Sequence, residues 1–78
     1  MRILRLVWEF RGADAKKIAE HHLIHLNEYL ERNSLKVDSN GVTEHSPMYA
    51  SAFLVCNETL ALELREPLKP QAAYLEAE

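Results

Sequence analysis

Cysteine is nearly missing from this chain. Cys56 stands alone, so no disulfide can form within the molecule, and a single thiol suits a reducing compartment such as the cytoplasm. Glycine is almost as scarce: Gly12 and Gly41 are far apart, which leaves no glycine-rich loop to cradle a phosphate. No apolar run approaches the roughly 20 residues that a membrane-spanning helix needs. The apolar opening is interrupted by Arg5, Glu9 and Arg11, unlike a secretory leader. An excess of positive charge is lacking too. Nine basic residues against 12 acidic ones give a net charge of -3, and the basic ones are scattered, so no nucleic-acid face is expected. Repeats, low-complexity tracts and linkers are absent, and 78 residues allow one domain spanning 1–78. What is present is an ordinary globular composition with 47% hydrophobic residues, which argues against disorder.

Ala13 to Asn33 is the longest periodic stretch. At helical spacing one face collects Ala15, Ile18, Ala19, His22, Leu23, Leu26, Tyr29 and Leu30. Lys17, Glu20, Asn27, Glu28 and Glu31 take the other, with Ile24 as an apolar intruder. Gly12 permits a sharp entry, Asp14 suits the positive end of the helix dipole and Arg32 the negative end. Asn33 is the expected left-handed stop.

Met1 to Phe10 alternates as a strand. Leu4, Leu6, Trp8 and Phe10 form a wholly apolar face for the helix, while Ile3, Arg5, Val7 and Glu9 form a mixed one. Met48 to Cys56 is apolar or small on both faces, Tyr49, Ser51, Phe53 and Val55 against Ala50, Ala52, Leu54 and Cys56, as befits a central strand. Between them, Asn40-Gly41 is a strong turn dipeptide. Either its flanks form a hairpin, or only the second flank is a strand, at a sheet edge. Asn57 to Leu68 alternates at Leu60, Leu62 and Leu64, yet Leu60, Ala61, Leu64 and Leu68 also fit a helix. Its Leu, Ala, Glu and Arg content favours a helix capped by Asn57 and ending near Pro67. Gln71 to Ala77 reads as a last short strand.

The expected order is strand, long helix, strand, strand, short helix, strand. That is an α+β, ferredoxin-like split βαβ arrangement (β-α-β-β-α-β): an antiparallel sheet, first and third strands central, helices on one face. Were Asn57 to Leu68 a strand instead, one long helix would lie on an antiparallel sheet.

No residue pattern names a reaction. His21 and His25 stand one helical turn apart near Glu28, but two ligands make a poor metal site, so no tightly held zinc and no cofactor is expected. His22 lies inside the apolar stripe, where a core-edge histidine would bond a backbone carbonyl; His22 and His45 are the candidate acid/base residues. Trp8, Tyr49 and Phe53 are candidates to line a small-molecule pocket, and Tyr74 could join Tyr49 over the open sheet face. Ser34, Ser39, Ser46 and Ser51 lack any nucleophile-elbow pattern, and Cys56, closing a central strand, reads as an inert buried thiol.

His22 to Leu35, reading HLIHLNEYLERNSL, resembles the helix of YCII-related proteins, which are small dimeric α+β barrel proteins. The likeness covers 14 residues, the rest of the chain does not extend it, and membership is not assigned. Its one implication is a small dimeric enzyme, of isomerase, lyase or monooxygenase type, as the alternative reading. The leading expectation is a non-enzymatic homodimer that binds a small ligand or a protein partner. Helices on one face cannot cover a strand that is apolar on both. Ile3, Arg5, Val7, Tyr49, Phe53 and Val55 are therefore the expected dimer interface, with Arg5 and Glu9 able to pair across a two-fold axis.

Overall fold

A computed structural model describes residues 2–78; of the expected first strand, Met1 lies outside the described residues. Six elements follow in order: β1 (Ile3–Arg11), α1 (Ala15–Arg32), β2 (Ser39–Ser46), β3 (Tyr49–Asn57), α2 (Glu58–Leu68) and β4 (Ala72–Ala77). The four strands form one antiparallel sheet in the order β2-β3-β1-β4, so β1 and β3 are central, in a ferredoxin-like α+β arrangement.

The two faces of β1 divide as alternation requires. Leu6 and Trp8 join Ala52, Leu54 and Cys56 of β3 in a core closed by Leu26 and Leu30 of α1 and by Ala61 and Leu64 of α2. Both helices thus lie on the same side of the sheet. At its N-terminal end α1 approaches through Ala15 and Ala19 against Ala50, where only small side chains leave room for close contact. The stripe is centred on Ala15, Ala19, Leu26 and Leu30. Ile18 lies about 90° round the helix from that centre at 100° per residue, and it is 46% exposed.

α1 ends at Arg32, and the left-handed residue that follows it falls one position later than expected. Asn33 keeps a negative φ, and Ser34 takes the left-handed conformation at φ 56. Ser34 N–H then bonds Glu31 O and Leu35 N–H bonds Leu30 O, which satisfies two end carbonyls and brings Leu35 against the core.

The Asn40-Gly41 turn is not formed. Both residues lie within β2, an edge strand, opposite Leu54 and Phe53 of β3. Gly41 serves packing here: a Cβ on it would come within 3.0 Å of Phe53 Cζ, so glycine is what lets the ring lie flat across the strand. The hairpin turn falls instead at Pro47-Met48, between the paired Ser46 and Tyr49.

α2 is helical, as its composition requires. Asn57 Oδ1 accepts from Leu60 N–H at 2.9 Å, Ala61 and Leu64 are buried, and Leu62 faces outward. Pro67 falls inside the last turn, and the helix runs on to Leu68. Lys69 closes it in the left-handed conformation, donating to Arg65 O, and Trp8 Nε1–H donates to Leu68 O at 2.8 Å.

Candidate functional site

The face of the sheet away from the helices carries the side chains with the most chemistry. Row by row across the strands it presents Arg11 and Tyr49, then Glu9, Ser51 and Thr43, then Val7, Phe53 and Ala72, then Arg5, Val55 and Tyr74. A shallow hollow of about 220 Å³ opens there, lined by residues that include Arg5, Glu9, His45, Tyr49, Phe53 and Tyr74.

His45 follows Gly41 and Thr43 at the strand period of two and so falls on this face, at the point where β2 slips register between Glu44 and Ser46. The irregularity turns its ring onto Tyr49, stacked at 4.4 Å between centroids. His45 Nε2 lies 2.9 Å from Ser51 Oγ. Tyr49 is held twice more: its hydroxyl donates to Glu9 Oε2 at 2.8 Å, and the Arg11 guanidinium lies 4.1 Å from its ring centre. Donation to Glu9 raises the Tyr49 pKa above its ordinary value, so the phenol stays protonated.

At the other end of the hollow, Arg5 lies 4.3 Å from the centre of the Phe53 ring and pairs with Glu76 through Nε to Oε1 at 2.8 Å. That hydrogen bond raises the Arg5 pKa and lowers that of Glu76. Glu9 also anchors β4, its N–H donating to Gln71 Oε1 at 2.8 Å.

The face is therefore less bare than the sequence suggests. All six expected interface residues lie on it, but Val7 and Val55 are each only 6% exposed within a single chain, and Ile3, Tyr49 and Phe53 are half-buried. Charged side chains folded over the rings do the covering. Arg5 and Glu9 are engaged within the chain, by Glu76 and Tyr49 respectively, and a pairing of the two across a two-fold axis would have to replace these contacts. The large apolar side chains most open to solvent are Ile18, Ile24, Met48, Leu62, Tyr74 and Leu75, of which Tyr74 alone lines the hollow.

His45, Tyr49 and Phe53 are brought together, whereas Trp8 and His22 lie on the helix side of the sheet. Trp8 is buried in the core. The His22 ring sits 5.5 Å from that of Trp8 and 5.3 Å from that of Phe10. Its Nε2 is buried with no hydrogen-bond partner among the described residues, so that nitrogen does not meet the expected backbone carbonyl. Burial, with a smaller contribution from His25, lowers the His22 pKa and keeps the ring neutral. Cys56 is buried and its pKa raised, first by burial and then by Asp38, which makes the thiol a poor nucleophile.

Arg11, Thr43 and Gln71 also stand around the hollow, beyond the residues expected from the sequence. The alternation of β1 carries a signal for Arg11, but Gln71 joins Glu9 across 62 positions and leaves no local trace.

What the arrangement can do chemically is bounded by its geometry. A serine nucleophile needs exposure and an oriented base, yet Ser51 is 5% exposed and no hydrogen bond among the described residues orients the far nitrogen of His45. What the face offers a ligand is flat aromatic surface with hydrogen-bonding groups around it. No protein-family model matches the chain, and no curated protein or solved structure matches it either.

Proposed function

We propose that this chain is a non-enzymatic binding module that acts as a homodimer. Two copies meet through the uncovered sheet faces, and the hollow beside His45, Tyr49 and Phe53 holds a small ligand between them. One observation carries the reading: both helices cover the same side of the sheet, and the opposite side carries the rings of Tyr49, Phe53, Tyr74 and His45 around a common hollow. Aromatic side chains with polar handles are what interfaces and ligand pockets favour, since they offer large contact area and lose little entropy. Because Val7 and Val55 are already buried, the gain on association comes from the half-exposed rings, and association is expected to depend on protein concentration.

The enzyme reading has one observation in its favour, the 2.9 Å contact between His45 Nε2 and Ser51 Oγ. The burial of Ser51 weighs against a nucleophile and leaves His45 as a hydrogen-bonding group. Native mass spectrometry of freshly purified protein tests the proposal, because it reports stoichiometry and any retained ligand together. The expected spectrum is a dimer carrying a small molecule, whose retention falls in Phe53→Lys. A ligand-free monomer at every concentration would overturn it. Turnover of the retained molecule that His45→Ala abolishes would shift the assignment to the enzyme reading.

A further inference from the structure

A second constellation lies outside the sheet hollow, on the solvent side of α1. His21 and His25, one turn apart, bring their Nε2 atoms to 3.0 Å with the rings at 85° to each other. His25 Nδ1 lies 3.2 Å from Glu28 Oε1. With the carboxylate as acceptor, the His25 proton sits on Nδ1 and the Nε2 lone pair points at His21. A carboxylate behind the distal nitrogen of a histidine is the outer support that metal-ligating imidazoles use to fix their tautomer and orientation.

We propose that His21 and His25 chelate a divalent transition-metal ion of the copper or nickel class, with Glu28 as the positioning residue behind His25. One turn of helix brings the two nitrogens near enough to share an ion, and the affinity order of imidazole ligands points to the metal class. At metal–nitrogen bonds of about 2.05 Å, nitrogens 3.0 Å apart subtend about 94° at the metal. That is close to the right angle between neighbouring ligands in square-planar and octahedral complexes, the geometries of Cu(II) and Ni(II). Copper and nickel also stand above the earlier divalent metals in intrinsic affinity for imidazole.

Binding requires no net loss of protons from the neutral rings. His21 carries its proton on Nε2 while donating to His25, and it presents Nε2 to the metal by moving that proton to Nδ1. Among the described residues no group of three ligands gathers, so the remaining positions belong to water and the site is open and of modest affinity. The site shares no residue with the sheet hollow and stands or falls independently of it.

The test is a titration of untagged full-length protein with Cu(II) and, separately, Ni(II) in a non-coordinating buffer, followed by calorimetry and, for copper, electron paramagnetic resonance. The expected result is one ion per chain and a copper spectrum split by two nitrogens. His21→Ala and His25→Ala should each weaken binding at least tenfold, and Glu28→Gln about tenfold. His22→Ala, which alters the neighbouring ring on the core side, should leave affinity unchanged. Circular dichroism of each variant confirms that α1 is intact. Unchanged affinity and spectrum in the His21→Ala/His25→Ala double variant would overturn the proposal, as would zinc binding more tightly than copper.

Discussion

Replacing His22 by leucine should stabilise the fold. His22 Nε2 is buried without a hydrogen-bond partner among the described residues, between the rings of Trp8 and Phe10. A buried polar atom left unsatisfied costs about 1–3 kcal/mol. The ring as a whole is only half-buried, which places the cost near the lower end. Leucine removes the orphaned nitrogen, keeps the apolar contacts and has the better helix propensity by a few tenths of a kcal/mol. A net gain of about 1 kcal/mol corresponds to roughly 4–8 °C in melting temperature for a domain of this size. The pH dependence gives a second readout with a definite sign. Burial lowers the folded pKa of His22 below the unfolded value of about 6.5, so the unfolded chain binds the extra proton. The neutral ring costs nothing by titration above that value. Stability is then lost progressively as pH falls from about 6.5 toward the lowered folded pKa. Thermal melts of wild type and His22→Leu between pH 8 and pH 5 should show the variant more stable throughout, with a gap that widens on the acid side. A variant less stable than wild type at pH 8, or a gap that is constant with pH, would refute the reasoning.

Two further outcomes concern the helix ends. Ser34 and Lys69 hold left-handed backbone at φ 56 and 48, a conformation that costs a side-chain-bearing residue about 1–2 kcal/mol. Ser34→Gly and Lys69→Gly should each raise stability by about 0.5–1 kcal/mol and add in the double variant, as chemical denaturation would measure. Asn57→Ala removes the acceptor for Leu60 N–H and should cost about 1 kcal/mol by the same assay, with Asn57→Ser recovering most of it.

These particulars show where the sequence was legible. Alternation in β1 and β3 assigned each residue to its sheet face, and the stripe through Ala15, Ala19, Leu26 and Leu30 located α1, because both signals are repeated over many residues. Asn40-Gly41 misled because its turn preference is local, whereas the Phe53 ring that needs a glycine beneath it comes from the neighbouring strand. Asn33 is a reasonable left-handed stop in isolation. Placing that conformation at Ser34 is what lets Leu35 bond Leu30 O and pack on the core, a gain that only tertiary structure sets. The candidate site divided the same way. Alternation put Tyr49 and Phe53 on one surface, and the pairing of β2 with β3 that brings His45 beside Tyr49 is a tertiary contact with no signature in composition. The Arg5–Glu76 pair, which converts an expected apolar patch into a covered one, spans 71 positions and has no local signature.

Two copies of this chain are proposed to meet through the open sheet face. Sedimentation equilibrium across a hundredfold range of micromolar concentrations tests it most directly, on wild type beside Phe53→Lys. The expected result is a wild-type mass rising with concentration toward twice the 9.0 kDa of the chain, together with a Phe53→Lys variant that stays folded and monomeric. A wild type that remains at 9.0 kDa throughout, with a melting temperature indifferent to dilution, would contradict it.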